Sequence, residues 1–477
     1  MRQHGKGGGT AHLHTKDPPM SAPRLRIRAI ELYERPVRFV KPFRFGAVTV
    51  EAAPQSFVRA LVALEGQREA WGAAAEMMMP KWFDKRPDRS PADTVDGLRR
   101  SLIEARDAYL SDSRLDTAFG HHAAFSPTLE PKLAAAFGPA QIDKAVLDGL
   151  LRVLGLNAFQ GLGANAAGLD ARLAPDLAGF GLDGFLNGLS PLPAVELRHT
   201  VGLLDAADAL PALLEHSALR WFKIKLGGDV DADIGRLCEL AAVLEVAAPG
   251  YRATLDGNEQ YRDAGHVAEL LDRMDAAPEL AGFRRALAYL EQPIAREAAL
   301  ARPLGAVAER VPVIIDESDD GYDAFPRARA MGYRGVSSKS CKGLYKAILN
   351  RARCAAWGPP HFISAEDLTC QAGLSVQQDT ALVAFLGIPH AERNGHQYGG
   401  GFAGEAEGAA FLAAHPGFYT RDTDSDGGGT VRLATGSGRL ETASLHGPGF
   451  AHACDPDWSG LSPLSNPTSA LFQGVHP

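Results

Sequence analysis

Short apolar runs, each followed by an amphipathic stretch, repeat along the chain from about residue 194 to about residue 393. Each run has the length of a buried strand, and each stretch that follows is long enough for a crossover helix. Eight such units predict a closed (β/α) barrel of the α/β class. The predicted strands cover residues 195–201, 221–225, 253–256, 287–291, 313–316, 335–339, 362–366 and 389–393.

The N-terminal part of the chain has a different pattern. Apolar and polar residues alternate in 25–33 and 55–64, as in antiparallel strands, and the two runs are joined through 41–46. Residues 92–109 and 131–154 have the periodicity of amphipathic helices. Together these elements predict an α+β domain that precedes the barrel.

The length of 477 residues exceeds what one hydrophobic core supports, so about two domains are expected. The start of the chain is polar and rich in glycine, which predicts disorder. A hairpin-like stretch near the end, residues 430–445, is expected to return to the N-terminal domain. The predicted organisation is a disordered segment, an N-terminal α+β domain, a barrel and a returning C-terminal segment, at residues 1–22, 23–150, 151–400 and 401–477.

Composition excludes several classes of partner. The net charge is -8 and no long basic run occurs, so nucleic acid is not expected as a partner. The five cysteines lack the paired short spacings of zinc sites, which fits a reducing compartment. No apolar run reaches the roughly 18 residues that a membrane helix needs, and the start lacks the apolar core of a signal peptide. We therefore expect a cytoplasmic protein without a membrane partner.

Five predicted strands end on a charged residue. These residues are 23 to 35 positions apart in sequence, which is roughly the length of one strand plus one helix. In a parallel barrel the carboxyl ends of the strands share one mouth, where active sites of this fold lie. Three carboxylates and two amines are thus predicted to converge there: Lys225, Asp256, Glu291, Asp316 and Lys339.

Lys223 and Lys225 are two positions apart, which on a strand places both side chains on the same face. Burial and mutual repulsion are expected to lower their pKa values, so that a lysine of this pair can act as a base. Lys339 is predicted to face Lys225 across the barrel. A carboxylate substrate held between Lys225 and Lys339 would present one face of its α-carbon to each amine, and either lysine could act as base or acid.

Asp256, Glu291 and Asp316 offer oxygen ligands without sulfur or imidazole among them, which suits Mg²⁺ or Mn²⁺ with open positions for a substrate. Such an ion would stabilise the enediolate formed when the α-proton leaves. Asn258 shares a face with Asp256 and is predicted to bind a water or the substrate. On a regular strand Glu317 points away from Asp316, so it is predicted to support the metal ligands from behind. The two residues could exchange these roles, with Glu317 binding the metal instead of Asp316.

The order of these residues resembles the enolase superfamily, and within it the muconate-lactonizing-enzyme-like branch of the mandelate racemase/muconate lactonizing enzyme family. The resemblance covers residues 24 to about 450. It implies a (β/α)7β barrel of the TIM type with an α+β capping domain, a lysine base, Mg²⁺ and frequent homo-oligomers. The matching pieces are Lys223-Ile224-Lys225, Asp256-Gly257-Asn258-Glu259, Glu291-Gln292-Pro293, Asp316-Glu317-Ser318 and Lys339-Ser340-Cys341-Lys342-Gly343.

The resemblance also implies that loops of the capping domain close over the mouth and select the substrate. On this chain those loops would be residues 40–48 and 75–83. Phe43, Phe45 and Trp82 would supply apolar walls, and Arg44 or Lys81 a charge for the substrate.

Motifs at the last three strands indicate which branch of the superfamily the chain resembles. The seventh strand ends Ile363-Ser364-Ala365-Glu366-Asp367 without the catalytic histidine of the mandelate-racemase-like branch, which disfavours a histidine-based dehydratase. The eighth strand lacks the Asp-x-Asp pair of dipeptide epimerases, which argues against a dipeptide substrate.

Glu366 matches a position that lies near the substrate in the lactonizing branch. After the sixth strand, the spacing from Asp316 favours Lys339 over Lys342 as the residue that faces the pocket.

These residues predict a small carboxylic acid as substrate, with proton abstraction followed by isomerisation, cycloisomerisation, epimerisation or β-elimination. An acid-sugar dehydratase of the same superfamily remains an alternative. A Schiff-base aldolase would use a barrel lysine but would not need three clustered carboxylates. A non-catalytic relative would keep the fold and the pocket without the reaction.

Overall fold

The computed structural model describes residues 22–46, 48–66, 68–402, 406–422 and 429–464. The segment predicted to be disordered, residues 1–22, lies outside the described residues apart from Ala22. From the N-terminus, an antiparallel sheet with its helices is followed by a closed parallel barrel.

The N-terminal sheet contains β1 (Leu25–Phe45), β2 (Val48–Leu64) and β3 (Glu69–Met77) in sequential antiparallel order. The two predicted strands are present but longer, because their pairing continues past a bulge to the tip of the hairpin. Strand β3 was not predicted from the sequence. Its run Gly72-Ala73-Ala74-Ala75-Glu76 lacks the β-branched residues that favour strands, so pairing with β2 decides its conformation.

Two long helices pack on this sheet. The helix Pro91–Ser111 begins with a capping box, in which Ser90 and Asp93 bond each other's backbone amides. The helix Phe137–Leu154 is buried along most of its length against β2 and β3. Both confirm the predicted periodicity, although the stretch predicted over 131–154 is divided at Ala136 into a short helix and the helix Phe137–Leu154. The remaining helices of this part are Ala118–Ala124, Lys132–Ala135, Ala158–Gly163 and Leu182–Gly188.

Eight parallel strands form the barrel, which confirms the predicted fold. Each pairs with the next in sequence, and the last closes on the first with His390 opposite Glu196. The strands are β4 (Ala194–Val201), β5 (Trp221–Lys225), β6 (Arg252–Asp256), β7 (Leu287–Glu291), β8 (Val313–Ile315), β9 (Gly335–Ser338), β10 (Phe362–Glu366) and β11 (His390–Glu392).

The helices that follow the strands have their apolar faces against the barrel, as an α/β architecture requires. Two of them begin with an aspartate cap, Asp229 before Val230–Ala247 and Asp263 before Ala264–Ala276. The others are Leu210–Glu215, Ala281–Ala286, Arg296–Ala299, Val307–Arg310, Ala324–Ala330, Leu344–Trp357, Leu374–Phe385, Gly395–Tyr398 and Gly408–Ala414.

The C-terminal segment contacts both parts of the molecule. Strands β12 (Tyr419–Arg421) and β13 (Val431–Leu433) pair with each other, whereas β14 (Arg439–Glu441) pairs antiparallel with the first barrel strand. The prediction that residues 430–445 join the N-terminal domain was wrong, because residues 439–441 pair instead with the start of β4, ahead of the stretch that pairs with β5. Instead β15 (Ser462–Pro463) pairs with β1. The domain boundaries at residues 150 and 400 stay predictions.

No helix within the described ranges combines the length and the apolar character needed to cross a lipid bilayer.

The contact between β3 and the buried helix Phe137–Leu154 leaves no room for a side chain at Gly72. A Cβ built there would lie 2.1 Å from the carbonyl oxygen of Ala145 and 2.1 Å from the amide nitrogen of Gly149. We predict that Gly72→Ala lowers the free energy of unfolding by about 1–3 kcal/mol or more, because backbone must move apart. Urea unfolding measures this.

Gly235 is a matched control, since it lies exposed in the helix Val230–Ala247 with open space around it. Gly235→Ala should leave stability unchanged or raise it by about 0.5–1 kcal/mol through helix propensity. Equal effects of the two substitutions would contradict the packing described for Gly72.

Candidate active site

Charged side chains end or directly follow seven consecutive barrel strands, and all of them are buried. Neighbouring strands are in register at this point, with Lys225 opposite Asp256 and Asp256 opposite Glu291. The five residues predicted to converge therefore do lie at one mouth, and two further carboxylates join them. The set is Lys225, Asp256, Glu291, Asp316, Lys339, Glu366 and Glu392.

Lys223 occupies the centre of this charge cluster. Its Nζ lies 2.8 Å from Glu366, 2.8 Å from Glu392, 2.9 Å from Asp256 and 3.1 Å from Glu291. Burial lowers the pKa of Lys223, but the four carboxylates outweigh it and raise that pKa well above its usual range. The expected lowering of its pKa was wrong, because each lysine has acidic neighbours across the barrel.

The two lysines predicted as bases stand on opposite sides of the mouth, since β5 and β9 are four strands apart in an eight-stranded barrel. Lys225 Nζ lies 2.6 Å from Asp256 Oδ2, and Lys339 Nζ lies 2.7 Å from Asp316 Oδ2. Burial lowers the pKa of Lys339, but Asp316 and Glu366 raise it well above its usual range. Both ammonium groups reach the same cavity.

Three carboxylates form a compact oxygen cluster. Glu291, Asp316 and Glu366 each place one oxygen within 4.8 Å of the other two. Among the described residues both oxygens of Glu291 lack a hydrogen bond, with Lys223 Nζ 3.1 Å away. Burial and the neighbouring Glu366 raise the pKa of Glu291 well above its usual range. Unpartnered buried oxygens beside other carboxylates fit a hard divalent cation, which would bind them and relieve their repulsion.

Asp256, predicted as a metal ligand, lies beside this oxygen cluster but outside it. Its Oδ2 is held by Lys225 and Lys223, and these two ammonium groups overcome the effect of burial and lower its pKa. Glu366, predicted to contact the substrate, belongs to the cluster instead. The predicted ligand set and the observed oxygen cluster thus share Glu291 and Asp316 and differ in the third residue.

The two acids after β8 point in different directions, as alternation predicts. Asp316 faces Lys339, and Lys342 Nζ donates to its Oδ1 at 3.1 Å and to its main-chain oxygen at 3.0 Å. Glu317 Oε1 instead accepts from Asn258 Nδ2 at 3.4 Å. Lys339 lines the cavity at the mouth while Lys342 supports Asp316 from behind, as the spacing favoured.

The cavity at the mouth has a volume of about 30 Å³. Phe43 and Phe45 from the hairpin of β1 and Trp82 from residues after β3 form its apolar lid, as predicted for the capping loops. The ring of Trp82 lies over the ammonium of Lys339, with 4.1 Å between Nζ and the ring centroid. Asn258, predicted to bind substrate, also lines this cavity.

Arg44 does not line the cavity, contrary to the prediction that it contacts substrate. Residues 43–45 belong to β1, where successive side chains point to opposite faces. Phe43 and Phe45 are buried, so Arg44 between them is exposed. The alternative charge, Lys81, donates instead to the carbonyl oxygens of Arg86 and Arg89.

A second group of charges, missed by the sequence analysis, fastens the lid to the barrel. Lys85 Nζ lies 2.6 Å from Glu259 and 3.1 Å from Glu317. Arg296 pairs with Glu259 and donates to the carbonyl oxygens of Trp82 and Phe83 at 3.2 Å. Nothing local in the sequence around Lys85 signals this role, because its partners lie more than 170 positions away.

Asp367 was also missed as a residue of the cavity. Burial, opposed by Arg393, raises its pKa to about 8. A carboxylic acid at neutral pH can donate a hydrogen bond as well as accept one. Its position directly after Glu366, at the end of a barrel strand, is the signal that could have found it.

Searches against protein-family descriptions and against curated proteins found no match. Solved structures do match over most of the chain. A mandelate racemase/muconate lactonizing enzyme from a Roseiflexus species has 19% identity and a TM-score of 0.59, covering 92% of this chain and 99% of that one. An enolase superfamily member from Roseovarius nubinhibens, complexed with magnesium, has 19% identity and a TM-score of 0.56, with coverages of 92% and 99%.

A dipeptide epimerase from Enterococcus faecalis, complexed with magnesium and the dipeptide L-Leu-L-Tyr, has 15% identity and a TM-score of 0.56, covering 92% of this chain and 99% of that one. The predicted resemblance to the enolase superfamily is thus confirmed for the fold. This chain has the barrel and capping domain that the mandelate racemase/muconate lactonizing enzyme structures share.

Glu291 is common to the predicted ligand set and the observed oxygen cluster, so its substitution tests the metal site directly. We predict that Glu291→Gln weakens Mn²⁺ binding by about tenfold or more, because a charged oxygen donor is lost. Electron paramagnetic resonance of free Mn²⁺ measures the affinity. Glu297→Gln, an exposed acid on the nearby helix, should leave it unchanged.

Comparing Asp256→Asn with Glu366→Gln then decides which of the two acids is the third ligand. Substitution of the acid that binds the metal should weaken Mn²⁺ binding by a factor similar to that of Glu291→Gln. Substitution of the other acid should leave the affinity unchanged. Unchanged affinity in Glu291→Gln would contradict a cation site at this mouth.

Proposed function

We propose that this protein is an enzyme of the enolase superfamily that abstracts the proton α to the carboxylate of a small acid, with the help of Mg²⁺ or Mn²⁺. One observation carries the proposal. Lys225 and Lys339 line a single cavity from opposite sides of the barrel mouth, with a cluster of buried carboxylates beside them.

The residues at the mouth fit a divalent cation. Glu291 has unpartnered buried oxygens, and Asp316 and Glu366 lie close enough to share one ion with it. Asp256 is one strand away and remains a candidate ligand. When bound, the cation would supply positive charge that compensates these acids and the charge that develops on the substrate carboxylate.

The two lysines provide the proton transfers. A lysine acts as a base only in its neutral form, and the carboxylates beside Lys339 raise its pKa and so favour its charged form. If the negative charge of those acids is compensated when the substrate binds, the preference for the charged lysine becomes weaker. One lysine can then accept the α-proton. The lysine on the opposite side, still protonated, could return a proton to the other face, as epimerisation requires, or assist isomerisation, cycloisomerisation or β-elimination.

The residues that line the cavity would contact the substrate. The walls of the cavity are the rings of Phe43, Phe45 and Trp82, and Asn258 and Asp367 offer polar atoms to an acid bound beneath them. Closure of the lid by Lys85 and Arg296 would keep water from the reacting carbon.

Hydrogen exchange tests this function without knowledge of the product. We predict that the enzyme with Mg²⁺ exchanges the α-hydrogen of its acid substrate for deuterium in D₂O, followed by NMR or mass spectrometry across a set of candidate acids. Removal of the cation by EDTA should stop the exchange. Lys225→Ala or Lys339→Ala should slow it by about 10²–10⁴ through loss of an acid–base group.

Lys81→Ala is the matched control, because Lys81 lies on the lid and its ammonium bonds only backbone outside the cavity. Exchange that survives both EDTA and Lys225→Ala would overturn the proposal. The Schiff-base aldolase remains the rival reading. Covalent trapping of a carbonyl substrate on a cavity lysine by borohydride would favour it.

A further inference from the structure

A second cavity lies between the N-terminal domain and the barrel. Its volume is about 340 Å³, more than ten times that of the cavity at the strand ends. One wall is apolar and comes from the N-terminal domain, including Phe125, Leu129 and Pro139. The opposite wall comes from the barrel and includes Lys346. A roomy apolar cavity with a few polar groups at one end is the usual form of a small-molecule site.

The ammonium group of Lys346 lacks one hydrogen-bond partner. The side chain is 4% exposed and lies in the first turn of the helix Leu344–Trp357. Its Nζ donates to the main-chain oxygen of Asp319 and lies 3.2 Å from Asp319 Oδ2. A lysine has three N–H donors, so one remains without an acceptor among the described residues.

Lys346 shares its acidic partner with a second lysine. Asp319 Oδ2 is shared by Lys346 and Lys342, which lies 3.3 Å from it. Burial outweighs that shared carboxylate and lowers the pKa of Lys346, which is the direction expected for an incompletely compensated ammonium. Lys342 itself already donates to three oxygens, those of Ser337 and Asp316. An anion on Lys346 would complete its bonding and its charge.

The other ionisable groups of the cavity limit the charge of that anion. Glu130 and Asp320 add negative charge to the walls, and Lys132 at the exposed rim balances only one of them. Burial raises the pKa of Asp320. One free N–H suits one oxygen of a carboxylate, whereas a phosphate dianion would meet too few donors.

The rings that line the cavity present apolar faces. Tyr322 and Phe125 both line it, and so does His122, whose Nε2 lies 2.6 Å from the hydroxyl of Tyr322. Because these polar atoms bond each other, the ring faces remain for packing against an apolar body. We propose that this cavity binds an aromatic monocarboxylate, with its carboxylate on Lys346 and its ring against Phe125 and Tyr322.

The experiment uses the full chain with Mg²⁺ and 4-iodobenzoate as the probe. Crystals soaked in it should show an anomalous iodine peak in this cavity, separate from any peak beside Lys225 and Lys339. Isothermal titration should show that Lys346→Met weakens binding at this site by roughly tenfold or more, through loss of a charge-assisted hydrogen bond. The neutral probe 4-iodobenzamide should bind the unaltered protein more weakly by a similar factor.

Two further variants keep the test decisive. Ala136→Phe, on the apolar wall, should block binding without touching any charge, which covers the case that Lys346→Met does not fold. Arg327→Met removes an exposed charge on a barrel helix outside the cavity and should bind as the unaltered protein does. Iodine found only at the strand ends or nowhere, or affinity equal in Ala136→Phe and Arg327→Met, overturns the proposal. The outcome is independent of the reaction proposed above.

Discussion

Compensation of buried charge at the barrel mouth is the constraint on which the rest of the structure depends. Lys223 lies completely buried within 3.1 Å of four carboxylates, Lys225 bonds one of these, Asp256, and Lys339 bonds Asp316. Removing one partner from such a set leaves an uncompensated charge in a dry environment, which typically costs about 3–5 kcal/mol. Such an arrangement needs a cation beside every acid, and Glu291 has only the Lys223 ammonium at 3.1 Å, with no hydrogen bond to either of its oxygens among the described residues.

Closure of the barrel supplies the geometry. Adjacent strands in register place Lys225, Asp256 and Glu291 side by side, and the contact of β11 with β4 carries Glu392 round to Lys223. The same closure separates Lys225 from Lys339 by half a turn. A flat sheet with the same sequence order would place these lysines on distant strands without a shared cavity.

The N-terminal domain completes the site from above. Lys85 and Arg296 tie the residues after β3 to Glu259 on the barrel, and this fixes Trp82 over Lys339. The lid therefore touches one of the two proposed bases as well as the space for substrate. A change in the lid would alter both the acid that is accepted and the environment of Lys339.

The sequence by itself determined the barrel, its eight strands and the charged residues at their ends, because strand length, alternation and turn signals are local properties. It also determined that Phe43, Phe45 and Trp82 reach the mouth, since the resemblance to the enolase superfamily placed the lid there. Only the tertiary structure decided which acids meet. Glu366 joins Glu291 and Asp316 while Asp256 is held by two lysines, and this depends on distances across the barrel that no local pattern encodes.

The dependence on contacts that are distant in sequence also explains why some predictions were wrong. The lysine pKa was expected to fall because Lys223 and Lys225 are neighbours in sequence, but carboxylates from four other strands raise the pKa of Lys223. Arg44 was expected in the cavity because a loop was predicted there, and the observed strand turns it outward. The long-range partners of a side chain fix its charge state and direction, and those partners are brought together only when the barrel closes.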